Sequence, residues 1–223
     1  MKFLRYKSIL LIPSIILSLI ILIPFNVIAD NTAKIKKELD SSDWQVRLKA
    51  VEKLANRADE EAVNILLLVA GTRTEYWPVK IRAILLLGET RDPRAKKLLL
   101  TIFNNPNYNW ECPSIKTHAA EALGNFKGDA YVVESLISSL NDHEKLTREA
   151  SILSLGKIGN PEAVPYIIEQ LKEDSFAIKL SAINALESIG DPQAIAPLQQ
   201  VVENDTDYLI RDRAKKAINN LNK

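Results

Sequence analysis

The chain has 223 residues, of which 47% are hydrophobic and 26% charged. It is therefore long enough to bury a sizeable core, and its composition is not that of a disordered protein. Its 29 Lys and Arg residues barely exceed its 28 Asp and Glu residues, which argues against a nucleic-acid binder because phosphate recognition normally needs a strong basic excess. Cys112 is the single cysteine, so no intramolecular disulfide can form and stability must come from packing.

The N-terminus has the pattern of a secretory signal peptide. Three basic residues precede an apolar stretch over residues 9–28, and small residues at Val27 and Ala29 suit a cleavage site. We predict a signal peptide over 1–29 and a repeat domain over 30–223. The alternative is an uncleaved anchor formed by residues 9–28, since about 20 apolar residues can span a bilayer. Both readings place the domain outside the cytoplasm, as a periplasmic, secreted or membrane-anchored protein.

Removing residues 1–29 takes away three basic residues and no acidic residue. The 29 basic residues then fall to 26 against 28 acidic ones, a formal net charge of −2. The mature domain is therefore not expected to bind nucleic acid, and the membrane is expected as a partner only through an uncleaved N-terminal segment.

Beyond residue 40, the chain repeats a pattern about every 32 residues. A small residue recurs at Ala50, Ala83, Ala119, Ser151, Ala182 and Ala214. Aliphatic residues recur four positions before and after it in nearly every unit, which indicates a helix, here called helix B, with one apolar face. A second amphipathic helix, helix A, precedes each helix B. Such a period predicts an all-α solenoid.

Several signals mark where the A helices begin and where the array ends. A capping side chain precedes a proline at Asp92, Asn160 and Asp191, which suits a helix start. Pro165 and Pro197 lie further inside, where each removes a backbone donor, so these helices are expected to kink or begin later. Lys215 replaces the apolar residue found after the small column in other units, as a terminal cap requires.

The units Arg148 to Ile168 and Lys179 to Leu198, with Gly-Asn-Pro and Gly-Asp-Pro at 159–161 and 190–192, resemble HEAT repeats of the kind named after the phycobilisome lyases. The resemblance implies a right-handed α-solenoid of five to six helical hairpins. It is specific for the fold and less so for function, because such repeats usually form scaffolds and only some act in attaching bilins to phycobiliproteins. Glu187 and Asn219 depart from the glycine present at the equivalent positions of central units, and helix A of the first unit, near residues 32–39, is short.

Few residues suggest catalysis or metal binding. Cys112 and His118 are the nearest nucleophile and base, but a separation of six places them on different sides of a helix. His143 lies beside Asp142 in a turn without the clustered partners of a zinc site. We therefore expect no catalytic residue, no cofactor and no metal.

A basic residue lies three positions before each small residue. Because similar repeats use this position in a ladder of hydrogen bonds and ion pairs between units, a ladder is favoured over a positive binding stripe. Asp43, Glu144 and Asp207 stand four positions before three of these bases, at ion-pairing distance on a helix. The candidate ladder residues are Arg47, Lys80, Lys116, Arg148, Lys179 and Arg211.

Large aromatic residues collect where helix A turns into helix B, and they include all three tryptophans. Trp44 and Trp77 are expected to tuck under the first turn of helix B and pack on the aliphatic column. Tyr76, Tyr108 and Trp110 are the candidate partner-binding residues, because exposed aromatics are favoured interface anchors. Tyr108 and Trp110 lie in an insertion at 104–113, whose alternative role is to fill a gap between units.

Together these features predict a non-enzymatic, extracytoplasmic scaffold that binds another protein. The inference rests on the fold analogy and on the lack of catalytic residues. One alternative is a bilin-lyase-like enzyme, or a chaperone acting on a chromoprotein. The other is a membrane-tethered assembly factor.

Overall fold

The computed structural model describes residues 25–105 and 112–222, and all the regular structure in these ranges is helical. Residues 25–105 and 112–222 contain twelve α-helices, three of which lie beside a short 3-10 turn at Ser139–Asn141, Pro161–Ala163 or Pro192–Ala194. The α-helices are α1 Phe25–Leu39, α2 Trp44–Glu52, α3 Glu60–Gly71, α4 Trp77–Thr90, α5 Pro93–Phe103, α6 Pro113–Leu123, α7 Ala130–Ser138, α8 Lys145–Ile158, α9 Val164–Gln170, α10 Phe176–Ile189, α11 Ile195–Asn204 and α12 Tyr208–Leu221. Within the described ranges, none of these helices has the length and apolar character needed to cross a bilayer.

The helices form six consecutive hairpins, called units 1 to 6. Odd-numbered helices are the A helices and even-numbered helices are the B helices. Each B helix packs on its own A helix and on the B helices of adjacent units. This arrangement confirms the predicted all-α solenoid at the upper end of the expected five to six hairpins.

The column of small residues forms the centre of the stack. All six, from Ala50 to Ala214, are completely buried. The buried face of the B helices also carries aliphatic side chains, such as Leu87, Leu123 and Leu155, which have no exposed surface. One continuous apolar core therefore runs from Ile35 to Ala217, as expected when each repeat buries its apolar face on its neighbours.

Glycines bring the central B helices into close contact. A Cβ atom added at Gly88 would lie 2.8 Å from Ala122 of α6, and one at Gly156 would lie 2.7 Å from the Cα of Ala185 in α10. In unit 5 the equivalent residue is Glu187, whose carboxylate meets Arg213 and Asn220 of α12. The junction between α10 and α12 is accordingly less extensive than the one between α8 and α10.

The helix starts follow the predicted signals. Asp92, Asn160 and Asp191 each accept a hydrogen bond from a backbone N–H two residues later. Units 5 and 6 begin with 3-10 turns, so α9 and α11 start only at Val164 and Ile195. This delay agrees with the expectation for Pro165 and Pro197.

The two ends of the solenoid differ. Lys215, at the position that is apolar in the other units, is exposed on α12. At the other end α1 begins at Phe25 and is longer than the short helix expected near residues 32–39. The predicted cleavage position after Ala29 lies within this helix, whereas most of the predicted signal peptide, residues 1–24, lies outside the described residues.

Candidate functional site

The loops that join A helices to B helices, together with the first turns of the B helices, form one edge of the solenoid, called here the AB edge. Four B helices begin with an aromatic residue, namely Trp44, Trp77, Phe176 and Tyr208. Their side chains are all exposed. Because the B helices stack in register, equivalent aromatics of adjacent units lie side by side along this edge.

Units 1 and 2 contribute a cluster of three aromatic rings. The Tyr76 ring meets Trp44 edge to face, with centroids 5.0 Å apart, and meets Trp77 at 5.7 Å with tilted planes. Trp44 is 36% exposed and Trp77 48% exposed. The expectation that both tryptophans tuck under helix B is therefore wrong, because their rings pack on Tyr76 at the surface rather than on the aliphatic column.

An ion pair beneath the aromatic cluster holds Tyr76 in place. The guanidinium of Arg47 donates from Nη2 to Glu75 at 2.8 Å and from Nε to both carboxylate oxygens at 3.1 Å. The same carboxylate accepts the backbone N–H of Tyr76 at 2.7 Å. Unit 1 therefore positions the first turn of α4 through Glu75, and the pKa of Arg47 is raised above its ordinary value mainly by this hydrogen bond.

The same type of pair recurs along the AB edge. Lys116 binds Asp142, and Lys179 lies 2.6 Å from Asp205. Arg148 approaches Glu173 at 3.8 Å. In each case a basic residue of one B helix reaches an acidic residue in the AB loop of the next unit.

The three arginines of the column also bind their own loops. Nη1 donates to the backbone oxygen six positions earlier in each of Arg47, Arg148 and Arg211, at 2.7 to 2.8 Å. Lys80 occupies the same register and is buried. The acids four positions before the bases are not the hydrogen-bond partners that the spacing suggested: Asp43 and Asp207 instead cap the N-termini of α2 and α12.

The acidic partners are held in their charged form. Burial alone would raise the pKa of Asp142, but hydrogen bonds from Lys116 and from the backbone N–H of Glu144 outweigh it and lower the pKa below its ordinary value. The pKa of Asp205 is lowered in the same way, against its burial, by Lys179 and the N–H of Asp207. The lowered pKa of each of these two carboxyl groups favours the charged form that pairs with its lysine.

Cys112, His118 and His143 have separate surroundings. Cys112 lies at the N-cap of α6, partly buried against the core. His118 donates from Nδ1 to the carbonyl oxygen of Ser114 at 2.6 Å. His143 is exposed beside Asp142, and among the described residues no group of three or more His, Cys, Asp or Glu side chains could hold a metal ion.

Of the predicted partner-binding residues, the structure places Tyr76 at the centre of the aromatic cluster, whereas Tyr108 and Trp110 lie outside the described residues. The sequence reasoning missed two exposed leucines. Leu146 is the second residue of α8 and is 61% exposed, and Leu209 is the second residue of α12 and is 60% exposed. Each leucine lies one position away from the residues that form the buried face of its helix. An apolar residue at such a position is the sequence signal that could have identified them.

Comparisons with known proteins agree with this geometry. The family model of HEAT repeats matches residues 32–112, 109–178 and 133–219. The phycocyanin operon protein Z of Pseudanabaena tenuis is 27% identical over 195 residues, covering 83% of this chain and 92% of that protein.

Among solved structures, the complex of CpcE and CpcF of the phycocyanin lyase from Nostoc sp. superposes with a TM-score of 0.58 at 22% identity, covering 83% of this chain and 75% of that chain. A designed armadillo repeat protein in complex with the peptide (KR)4 gives a TM-score of 0.55 at 14% identity and covers 84% of this chain and 98% of that chain. At these identities the superpositions show the fold.

These findings correct the expectation of a protein without enzymatic function, because a phycocyanin lyase and a phycocyanin operon protein stand among its relatives in structure and sequence. The lyase is also solved as a complex of two subunits, which agrees with the general expectation of a protein partner. The HEAT-repeat model covers most of the chain, from residue 32 to residue 219. The chain therefore belongs to the HEAT-repeat family.

Proposed function

We propose that this protein is a bilin-lyase-like factor that acts on a phycobiliprotein together with a second subunit. The observation that carries the proposal is the similarity to a phycocyanin operon protein over nearly the full length of both chains. The fold shared with a phycocyanin lyase supports it.

The AB edge supplies a surface suited to this role. Its aromatic residues at the starts of four B helices are exposed, and Tyr76 is held by the ion pair of Arg47 and Glu75 beneath it. Aromatic rings bury a large area at small conformational cost, so they are favoured contacts for a protein partner. In this proposal the aromatic cluster of Trp44, Tyr76 and Trp77 anchors the phycobiliprotein while the chromophore is attached.

A reconstitution experiment tests the proposed activity. The purified protein is incubated with a bilin and an apo-phycocyanin, with and without a second lyase-type subunit, and covalently bound colour is measured after denaturing electrophoresis. We expect attachment faster than the spontaneous reaction when both subunits are present. A rate equal to the spontaneous one under both conditions would overturn the proposal.

Matched variants connect the activity to the AB edge. Replacing Tyr76 and Trp77 together by alanine should weaken capture of the apo-protein. Tyr131→Ala is the control, because Tyr131 is a 58% exposed aromatic residue in the first turn of α7, at the end of an A helix that lies opposite the AB edge. If both variants lose capture equally, the aromatic cluster is not the docking site.

We also propose that residues 1–29 direct export and are removed. Cleavage after Ala29 would shorten α1 but leave Thr32 and Ile35, both completely buried, in the core. The solenoid would therefore keep its first unit. Mass spectrometry of the native protein should find Asp30 at the N-terminus, and an intact Met1 in membrane pellets would support the anchor instead.

A further inference from the structure

The loops that join each B helix to the A helix of the next unit form the edge opposite the AB edge, called here the BA edge. A cavity of about 250 Å³ opens on this edge between the loop after α4 and the loop after α6. Since this volume is below the roughly 300 to 1,000 Å³ of small-molecule sites, the cavity suits a single side chain. Its lining residues are Arg91, Pro93, Lys96, Asn125, Phe126, Lys127 and Asp129.

The lining carries more positive than negative charge. Three of its residues are basic and only Asp129 is acidic. The Asp129 carboxylate is already engaged, because one oxygen accepts from Lys96 and the other from the backbone N–H of Val132. Within the described ranges 25–105 and 112–222, neither Arg91 nor Lys127 forms an ion pair. Two cations therefore line the cavity without a carboxylate that balances them.

Two contacts beside the cavity do not remove this excess. Lys157 donates to the side-chain oxygen of Asn125 at 2.9 Å, so a fourth positive charge reaches the lining. Asp92, next to Arg91 in the chain, lies 2.8 Å from the guanidinium of Arg94. This second pair is neutral and leaves Arg91 unbalanced.

The excess also remains when nearby glutamates are counted. Glu89 and Glu121 are the exposed glutamates closest to the lining residues along the chain, and neither of them lines the cavity. Adding both to Asp129 gives three acids. The bases are still four, namely Arg91, Lys96, Lys127 and Lys157.

The backbone of Arg91 adopts a conformation that few residues other than glycine favour. Arg91 follows the last residue of α4 with φ 55°, in the left-handed region. The equivalent residues after α8 and α10 are Gly159 and Gly190, with φ of 77° and 78°. Left-handed backbone has a steric cost for a residue with a Cβ atom and none for glycine. Such a cost is expected where the side chain has a role that glycine cannot fill.

From these observations we propose that the cavity receives the side chain of a glutamate of a protein partner. The carboxylate meets Arg91 and Lys127, and the methylene groups lie against Pro93 and Phe126, of which the latter is only 8% exposed. An arginine suits this ligand because its planar guanidinium can donate two hydrogen bonds to one carboxylate. The inference does not depend on the proposed lyase function, which uses the opposite edge.

Titration of the 15N-labelled protein with small probes tests the proposal by NMR. The probes are N-acetylglutamate α-methylamide, the uncharged analogue N-acetylglutamine α-methylamide, and inorganic phosphate. We expect the glutamate probe to shift the amide signals of Phe126 and Lys127. The glutamine probe should bind about tenfold more weakly, because it lacks the charge-assisted hydrogen bonds.

Arg91→Gly separates binding from stability. Because glycine relieves the backbone strain, this variant should melt at or above the wild-type temperature while it binds the glutamate probe about tenfold more weakly. Lys127→Gln, at an exposed position, should weaken binding by a similar factor. Lys97→Gln is the matched control and should bind as the wild type does, because Lys97 is an exposed base of α5 that does not line the cavity.

Any of four results would overturn the proposal. Equal binding of the glutamine probe would show a cavity without charge selection. Tighter binding of phosphate than of the glutamate probe would indicate a phosphate site rather than a contact for a protein side chain. Unchanged binding or a lower melting temperature in Arg91→Gly would show that the arginine serves the fold. The absence of any shift at Phe126 and Lys127 would show that the cavity does not bind carboxylates.

Discussion

Gly156→Ala tests whether the close contact between central B helices stabilises the solenoid. Gly156 lies inside α8, and an added Cβ would lie 2.7 Å from the Cα and 2.9 Å from the Cβ of Ala185. Atoms of this kind normally stay beyond 3.0 Å. Part of the obstruction is backbone, so α8 and α10 must move apart rather than a side chain rotate away.

Two opposing effects determine the size of the change. Alanine favours a helix over glycine by about 1 kcal/mol, whereas overpacking a core typically costs about 1 to 3 kcal/mol and occasionally more. Because the obstruction involves backbone, we place the overpacking cost at the upper end and expect a net destabilisation of about 1 to 2 kcal/mol. For a domain of this size, that lowers the melting temperature by roughly 2 to 8 °C.

Gly71→Ala is the matched control for this measurement. Gly71 ends α3, and its added Cβ would meet only the Cδ1 of Leu98 at 4.0 Å, an ordinary contact. We expect this variant to be as stable as the wild type or slightly more stable in urea unfolding followed by circular dichroism. If Gly156→Ala stabilises the protein as much as Gly71→Ala does, the B helices separate freely and the reasoning fails.

Three further predictions concern the core, the ladder and the AB edge. Leu155→Ala should cost about 2 to 5 kcal/mol and Ile218→Ala less, because Leu155 is fully buried whereas Ile218 is partly exposed in the last unit; equal losses in urea melts would contradict a stacked array. Asp142→Asn should destabilise the protein at pH 7. The folded state lowers the pKa of Asp142 because it stabilises the charged carboxylate, so the difference in stability from wild type should shrink as the pH falls through and below 3.8. A difference that does not change with pH would refute this. Trp77→Ala should cost only about 1 kcal/mol, since half of the ring is exposed and its ring contact contributes about 0.5 to 1.5 kcal/mol; a loss as large as that of Leu155→Ala would restore the buried role.

The repeat was predictable because its signal is carried by buried positions. A residue such as Ala83 or Leu87 has no exposed surface, so its size and polarity are restricted in every unit and the period appears directly in the sequence. The helix starts were predictable for a similar reason. A capping residue before a proline satisfies local backbone chemistry, which needs no knowledge of neighbouring units.

The ladder partners could not be predicted from local spacing. Arg47 pairs with Glu75, which is 28 residues away in the next loop, while the nearer Asp43 caps a helix. Only the stacking of units decides between them. The exposure of Trp77 was missed for the same reason, because the ring turns outward onto Tyr76, whose backbone is held by Glu75.

The glycines at the central junctions have a mechanical consequence. Units 2 to 5 are joined through Gly88, Gly124 and Gly156. An added Cβ would meet the backbone of the next B helix at Gly88 and Gly156 and the side chain of Ser154 at Gly124, so little sliding is possible. The junction after Glu187 is made through long side chains instead, which can change rotamer as the helices shift. The solenoid should therefore be rigid over its central units and more easily deformed at its C-terminal end. A partner that binds both the first and the last aromatic residue of the AB edge would displace the final unit before it deformed the central ones.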